Sequence, residues 1–225
     1  MRGSVITIEG SDGSGKKTQA TLLYKRAKKE GYRVKLISFP NYRSFWGKLI
    51  AKYLKGEFGK IEEIDPRDSS MLYALDRFSS KGKIMKILNS GTNIIFDRYI
   101  ESNCGHQGAK YRGKKREELI EWIYDIELKK FGMPKSDIVI YLDLPPKYAI
   151  EAMKKRKRKY LKKGEKDIHE SDIEHLKEAY KTYSMLAKKM RNWKIVKCVD
   201  ENGKRISRKD LAETIWKIVK PYLKK

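Results

Sequence analysis

The chain has 225 residues, of which 40% are hydrophobic and 11% aromatic, a composition that excludes a disordered polyelectrolyte. Its 53 lysines and arginines outnumber its 29 acidic residues by 24, and this charge favours polyanionic partners such as nucleotides, nucleic acid or an anionic membrane surface. Two cysteines and three histidines argue against a disulfide framework and a zinc site. The apolar runs are far shorter than the ~20 residues of a membrane-spanning helix, and the N-terminus has no signal-peptide pattern, so we expect a cytoplasmic protein.

In chain order, short β-branched runs alternate with longer helical patterns, and no linker divides the chain. The β-branched runs predict five strands, at residues 4–8, 33–38, 93–96, 137–142 and 194–198. The helical patterns run from the first glycine-rich turn to about residue 30 and then cover residues 44–54, 65–88, 117–130, 147–156, 171–190 and 208–223. Strands joined by helical crossovers predict an α/β fold in a single domain over residues 1–225, with a five-stranded parallel sheet and helices on both faces. Ligands of such a sheet bind at the carboxyl ends of its strands.

A glycine-rich turn follows the first predicted strand and opens the first helix. It has the pattern G-x-x-x-x-G-K and consists of Gly10, Ser11, Asp12, Gly13, Ser14, Gly15 and Lys16. Between a strand and a helix this pattern is a phosphate-binding loop (P-loop), in which glycines let backbone N–H groups point at an anion and the helix N-terminus adds positive charge. Lys16 is expected to contact the β- and γ-phosphates. A P-loop alone does not distinguish ATPases, GTPases and small-molecule kinases.

The residue after the P-loop lysine departs from the pattern. A serine or threonine there would ligate Mg²⁺, but the chain has Lys17, and Thr18 comes one residue later. Either Lys17 turns outward while water or Thr18 completes the metal shell, or Lys17 replaces part of the metal's charge on the phosphates. We favour the outward position, because long lysine side chains readily reach solvent, and we expect the protein to use Mg²⁺.

Five segments carry a resemblance to a known family. They are residues 10–19 (GSDGSGKKTQ), 39–44 (FPNYRS), 71–78 (MLYALDRF), 96–110 (FDRYIESNCGHQGAK) and 164–172 (GEKDIHESD), the last leading into EAY at 178–180. In sequence and order they resemble the thymidylate kinases, P-loop enzymes that transfer the γ-phosphoryl group of ATP to dTMP, giving dTDP and ADP. The resemblance spans nearly the whole chain. It implies a P-loop kinase fold, ATP and Mg²⁺ as cofactors, dTMP as substrate and, as is common in the family, a homodimer.

The resemblance implies a phosphate-transfer site just beyond the third strand. Phosphoryl transfer needs cations between two anionic phosphates. Arg98 would lie between the donor and acceptor phosphates together with Lys16, and Asp97 would help to hold Mg²⁺ through water. Asp12 would accept a hydrogen bond from the sugar 3′-hydroxyl. Without the family, the pair Asp97 and Arg98 is equally compatible with a structural ion pair at a strand end.

Two further segments would bind dTMP by resemblance. Arg43, which follows Phe39 and Pro40, would contact the phosphate. Tyr73 and Arg77 lie four residues apart and therefore share one helix face. The ring of Tyr73 would stack on thymine, and Arg77 would donate to its O4.

Two polar residues and a tyrosine complete the implied substrate site. Ser102 and Gln107 follow Arg98 at the family's spacing, and a glutamine offers the donor and the acceptor that the N3–H edge of a pyrimidine requires. A polar site of this kind rejects a mismatched base, because its own groups would be left unpaired. Tyr180 would pack near the sugar.

The basic stretch at residues 154–163 reads KKRKRKYLKK, and the resemblance implies a basic lid at about residues 154–170. One subgroup of the family has an arginine in the P-loop, whereas another has basic residues in the lid. Because Gly13 follows Asp12 here, we expect the lid to supply the charge. Arg156 and Arg158 are the candidates, and the sequence leaves open which of them reaches the phosphates of ATP.

Three rival interpretations remain beside dTMP phosphorylation. In the first, the protein is a kinase of another nucleoside monophosphate, such as dUMP or a purine nucleotide. In the second, it is a P-loop protein that binds nucleic acid through its basic surface. In the third, it is a kinase inactivated by Lys17. The sequence contains no recognised nucleic-acid-binding module, so nucleic acid is not expected as a partner despite the high charge. We also expect no membrane partner.

Overall fold

The computed structural model of the protein describes residues 2–60, 63–154 and 173–225, with the side chains of all of these except residues 153 and 154. Its sheet consists of strands β1 (Val5–Gly10), β2 (Val34–Ser38), β3 (Asn93–Asp97), β4 (Ile138–Asp143) and β5 (Trp193–Lys197). The strands lie in the order β2-β3-β1-β4-β5, and all four neighbouring pairs are parallel. The predicted five-stranded parallel sheet is therefore confirmed, with every strand within two residues of its predicted bounds.

The helices cover both faces of this sheet. They are α1 (Lys16–Lys29), α2 (Phe45–Leu54), α3 (Pro66–Phe78), α4 (Lys81–Asn89), α5 (Ile100–Gly108), α6 (Gly113–Tyr124), α7 (Pro146–Lys154), α8 (Ile173–Lys189) and α9 (Arg208–Val219). A π-helical turn, Asp125–Lys130, continues α6, and a short 3₁₀ turn, Lys220–Tyr222, follows α9.

Alternating strand residues build two separate cores, because successive side chains of a strand point to opposite faces of a sheet. On one face Ile6 and Ile8 of β1 pack with buried residues of α1 and α9, such as Leu23 and Ile215. On the other face Val5 packs with buried residues of α4, α5, α6 and α8. This division confirms the predicted cover of helices on both faces.

Two helix predictions need correction. The segment 65–88 forms two helices, α3 and α4, that are separated at Ser79 and Ser80. The Ser79 hydroxyl donates to the Asp76 carbonyl at 2.8 Å, and such local serine bonds compete with the continuing helix ladder. Helix α5 was not predicted, because its sequence IESNCGHQG is mostly polar or glycine and has no apolar period.

Within the described ranges, no helix combines the length and the apolar character that a membrane crossing requires. The two cysteines, Cys104 and Cys198, are free thiols and are both buried.

Candidate active site

The carboxyl ends of the three adjacent strands β2, β3 and β1 bring together the P-loop, Asp97 and the segment that begins at Phe39. In register, Asp97 at the end of β3 lies beside Ile8 of β1 and Ser38 of β2. The Ser38 hydroxyl donates to Asp97 Oδ2 at 3.3 Å, and Asp97 is almost entirely buried. The P-loop begins at Gly10, the last residue of β1, so loop and carboxylate share one edge of the sheet.

Glycines shape the P-loop at the start of α1. Gly15 has φ +94° as the residue that caps the helix, a left-handed conformation that favours glycine. At Gly13 a Cβ atom would come within 2.8 Å of the Ala149 carbonyl oxygen, so the loop can approach α7 only without a side chain. The Lys16 ammonium donates to the carbonyl oxygens of Gly10 and Ser11 at 2.7 and 2.9 Å.

A cavity of about 610 Å³ opens beside the loop. The cavity is lined by residues of the P-loop and the first turns of α1, by Asp97 and Arg98, and by Arg208 at the start of α9. Lys17 and Thr18 are exposed and line the same cavity, and the outward position of Lys17 stays a prediction. Whether Lys17 acts on a bound phosphate stays a prediction.

Asp12 and Arg98 are joined directly at the centre of the site. Arg98 Nη2 donates to Asp12 Oδ1, and Lys16 Nζ lies 3.6 Å from the same oxygen. Arg98 has φ +70°, a left-handed conformation rare for a residue with a side chain, and such strain is concentrated at functional sites. Burial disfavours the charge of Arg98, but the surrounding negative charges, of which Asp12 is the strongest, together outweigh this effect and the pKa of Arg98 is raised.

The charge of Lys16 is finely balanced in the absence of phosphate. Burial, followed by the neighbouring positive charge of Arg98, lowers the pKa of Lys16 to about 7, against the attraction of the Asp12, Glu9 and Asp97 carboxylates. A bound anion would supply the missing negative charge and favour the ammonium form.

Glu9 is a site residue that the sequence analysis did not single out. It is fully buried at the end of β1 and accepts from the Tyr99 backbone N–H at 2.9 Å and from the Ser102 hydroxyl at 2.8 and 2.9 Å. The Tyr183 hydroxyl also donates to it, at 3.1 Å. Burial raises the pKa of Glu9, while Arg98 opposes this shift. A charged residue inside an apolar strand, directly before the P-loop, is the feature that could have identified it.

Two tyrosines of α8 have different surroundings. Tyr180 is half-buried, and its hydroxyl bonds to Asp143 at the end of β4. Its predicted position near the sugar stays a prediction. Tyr183, three residues later, is fully buried, and the sequence analysis did not single it out.

Tyr73 and Arg77 share one face of α3, as their spacing predicts. Tyr73 is half-buried, and the Tyr53 ring meets it edge-on at 6.2 Å between centroids. Arg77 is only 2% exposed, and its Nε and Nη2 donate to the two oxygens of Glu127 at 2.5 and 2.6 Å. Since a guanidinium has five N–H groups, this pair leaves three for other acceptors.

Asp76 ties the segment that contains Arg43 to α3, a role that the sequence analysis missed. It is buried and accepts from the Asn41 backbone N–H at 2.8 Å and from the Ser44 hydroxyl at 2.6 Å. Between these two bonds lies Arg43, which is exposed.

Phe39 and Pro40 precede this segment. The Phe39 ring is buried against Phe96 and Tyr99, at 5.9 and 6.3 Å between centroids, whereas Pro40 is half-buried. The structure thus gives Phe39 a place in the core, and its predicted contact with substrate stays a prediction.

Ser102 and Gln107 lie on α5 but have different neighbours. Ser102 bonds to Glu9, whereas Gln107 Oε1 accepts from the Ser69 hydroxyl of α3 at 2.8 Å. Gln107 is 1% exposed and so fixes α5 against α3. The lid candidates, Arg156 and Arg158, lie outside the described residues together with most of the predicted lid.

The donor set fits Mg²⁺ held mainly by a bound nucleotide. Among the described residues there is no cluster of three histidine, cysteine or acidic side chains around a metal-sized space. Mg²⁺ sites of nucleotide-binding proteins typically use one or two carboxylates plus phosphate oxygens and water. Asp97, which lines the cavity beside the P-loop, supplies one such carboxylate.

Known proteins are similar to this chain in sequence and in fold. The sequence model of the family described as thymidylate kinase matches residues 8–207. The probable thymidylate kinase of Thermococcus gammatolerans is 38% identical over 159 residues, which cover 68% of this chain and 72% of that protein. The thymidylate kinase of Plasmodium falciparum is 31% identical over 186 residues, 83% of this chain and 78% of that protein.

Among solved structures, the thymidylate kinase of Candida albicans superposes with a TM-score of 0.72 at 25% identity, over 98% of this chain and 92% of its own. The fold, the P-loop cavity and the sequence relationships agree. The chain belongs to the thymidylate kinase family, the P-loop kinases that phosphorylate dTMP with ATP as the phosphate donor.

Proposed function

We propose that this chain transfers the γ-phosphoryl group of ATP to dTMP across the Asp12–Arg98 centre. The observation that carries the proposal is the position of Arg98, which lines the P-loop cavity and is bonded to Asp12. ATP lies along the loop, with Lys16 exchanging its two carbonyl partners for phosphate oxygens. Arg98 then spans the donor and acceptor phosphates, where charge develops in the transition state.

dTMP binds on the side of α3 and α5. Arg43 contacts its phosphate, Tyr73 stacks on the thymine ring and Arg77 donates to O4 with the N–H groups that Glu127 does not use. A base–aromatic stack and a directed donor together select a flat base with a carbonyl at this position. Asp12 accepts from the 3′-hydroxyl. On α5, the polar side chains of Ser102 and Gln107 stabilise this side of the dTMP site through their bonds to Glu9 and Ser69.

Asp97 would help to hold Mg²⁺ through water, with phosphate oxygens of ATP as further ligands. When bound, the ion neutralises phosphate charge and so lowers the repulsion between donor and acceptor. Lys17 is exposed at the wall of the same cavity, and we propose that its side chain turns outward and leaves this position open. Arg156 or Arg158 adds a cation from the lid when it closes over ATP.

A second copy of the chain covers α2. The Phe45 side chain on α2 is 68% exposed and Phe58 just after it is 45% exposed, and burial of such rings in a homodimer would remove apolar surface from water. Light scattering with a Phe45→Asp variant tests this, because the dimer is expected to dissociate.

The cytoplasmic location stays a prediction, as do the single domain and its lid.

A coupled assay of ADP release tests the proposed activity. We expect turnover with ATP and dTMP, much lower turnover with dUMP and with purine monophosphates, and loss of turnover in excess chelator. Preference for another monophosphate would replace dTMP as the substrate. Full turnover in excess chelator would remove Mg²⁺ from the mechanism. Wild-type turnover in both Arg156→Ala and Arg158→Ala would remove the lid arginines.

A further inference from the structure

Arg98 has a second partner that neither the motif nor the fold explains. While Nη2 binds Asp12, Nη1 lies 3.1 Å from Nε2 of His106 on α5. The guanidinium is therefore bonded on two sides, by a carboxylate from the P-loop and by an imidazole from α5.

The chemistry of the two groups fixes the state of the histidine. A guanidinium has only donors, so Nε2 of His106 must accept, and the ring proton must be on Nδ1. The ring is consequently neutral. Burial is the largest cause that lowers the pKa of His106 well below its usual value, and the charge of Arg98 is the second. This shift agrees with a neutral ring.

Helix α8 holds the imidazole in this position. The ring of His175 lies nearly parallel to it, with 5.9 Å between centroids, and the ring of Tyr183 meets it edge-on at 5.8 Å. The helices are close here because Gly105 has no side chain, since a Cβ there would come within 2.3 Å of the Tyr183 ring. His106 thus has little freedom to turn away from Arg98.

We propose that His106 is a positioning residue, whose neutral Nε2 holds the Arg98 guanidinium in the orientation that meets the phosphates. This proposal rests on the proposed role of Arg98. A neutral acceptor orients the guanidinium without cancelling its charge, whereas a second carboxylate would compete with the phosphates for it. With one N–H donated to Asp12 and one to His106, three remain for phosphate oxygens.

Three variants separate this role from packing. His106→Phe keeps a ring against His175 and Tyr183 but removes the acceptor, and His106→Gln returns an acceptor at about the reach of Nε2. We expect kcat of His106→Phe to fall about tenfold, the loss typical of one hydrogen bond to a charged group, with both KM values within about twofold. His106→Gln should recover most of kcat. In an Arg98→Lys background, His106→Phe should have little further effect.

Nitrogen NMR of the wild-type protein gives an independent test that needs neither a folded variant nor activity. At neutral pH we expect His106 Nε2 to have the nitrogen chemical shift of an unprotonated acceptor. Nδ1 should have the shift of a protonated nitrogen. A proton on Nε2, or unchanged kcat in a folded His106→Phe variant, would overturn the proposal. If the wild-type protein failed to phosphorylate dTMP but showed the expected tautomer, the proposed function would fail while the Arg98–His106 bond stood.

Discussion

Arg77 and Glu127 form a buried bidentate ion pair, with the two side chains only 2% and 1% exposed. Fifty residues separate them, and Glu127 reaches Arg77 from the π-helical turn that continues α6. Glu127 Oε1 also accepts from Asn103 Nδ2 of α5, at 3.1 Å. Glu127 therefore joins the helix that contains the proposed base-binding arginine to two others.

Removing one partner of this pair should be costly. Glu127→Gln leaves the buried Arg77 charge without its counter-charge, and we expect a loss of about 3 kcal/mol in the free energy of unfolding. The double variant Arg77→Met, Glu127→Met should recover much of this stability. Its KM for dTMP should nevertheless be higher than that of the wild-type protein. Urea denaturation and initial rates measure the two effects. Normal dTMP binding in the double variant would contradict the role of Arg77.

Lys16 should take up a proton when the protein binds a nucleotide. In the free protein its pKa is about 7, below the ordinary 10.5, so above pH 7 the side chain is largely neutral. Bound phosphate favours the charged form, so affinity for ADP should fall as pH rises from about 7 towards 10. Calorimetry in buffers of different ionisation enthalpy counts the proton. Lys16→Arg keeps its charge and should show no such uptake; equal uptake in that variant would assign the proton to another group.

Glu101 should make stability depend on pH. Burial, and next to it the Glu9 carboxylate, raise its pKa from 4.5 to about 7, and its Oε2 has no hydrogen-bond partner among the described residues. Between these pH values the folded state holds a proton that the unfolded state has lost, so this contribution to stability declines as pH rises. Glu101→Gln should flatten that decline and add about 3 kcal/mol at pH 8. The exposed Glu201→Gln is the matched control for thermal melting, and equal curves for the two variants would contradict the prediction.

Asp76 should control dTMP affinity through the segment around Arg43. Asp76→Ala removes the acceptor of both the Asn41 and the Ser44 bonds, which frees this segment from α3. We expect KM for dTMP to rise about tenfold, with KM for ATP unchanged. Asp68→Ala, an exposed acid on the same helix, is the control. A parallel rise of both KM values would point to general destabilisation instead.

Lys17 should weaken Mg²⁺ binding through its positive charge alone. Lys17→Ser restores a hydroxyl at this position and removes a cation from the cavity wall. We expect the Mg²⁺ concentration for half-maximal rate to fall about fivefold, which corresponds to the loss of about 1 kcal/mol of repulsion between one positive charge and the divalent ion in a solvated site. Lys25→Ser, exposed on the same helix, should leave it unchanged. An increased Mg²⁺ requirement would show that Lys17 assists metal binding.

The predictable part of the site is the part that is local in sequence. The P-loop could be recognised because seven consecutive residues between a strand and a helix determine its backbone shape. Tyr73 and Arg77 could be placed on one face because helical period relates them. Helix α5 could not be predicted, since it is stabilised by packing against α3, α6 and α8 and not by its own propensity.

The sequence by itself determined the five strands, most of the helices, the phosphate loop and the family resemblance. Only the tertiary structure decided which side chains meet: Glu127 with Arg77, His106 with Arg98, and Glu9 with Ser102 and Tyr183. Hydrophobic period and turn chemistry act over a few residues and leave a readable pattern. A buried polar group needs a partner wherever the chain brings one, and that partner carries no mark in the local sequence.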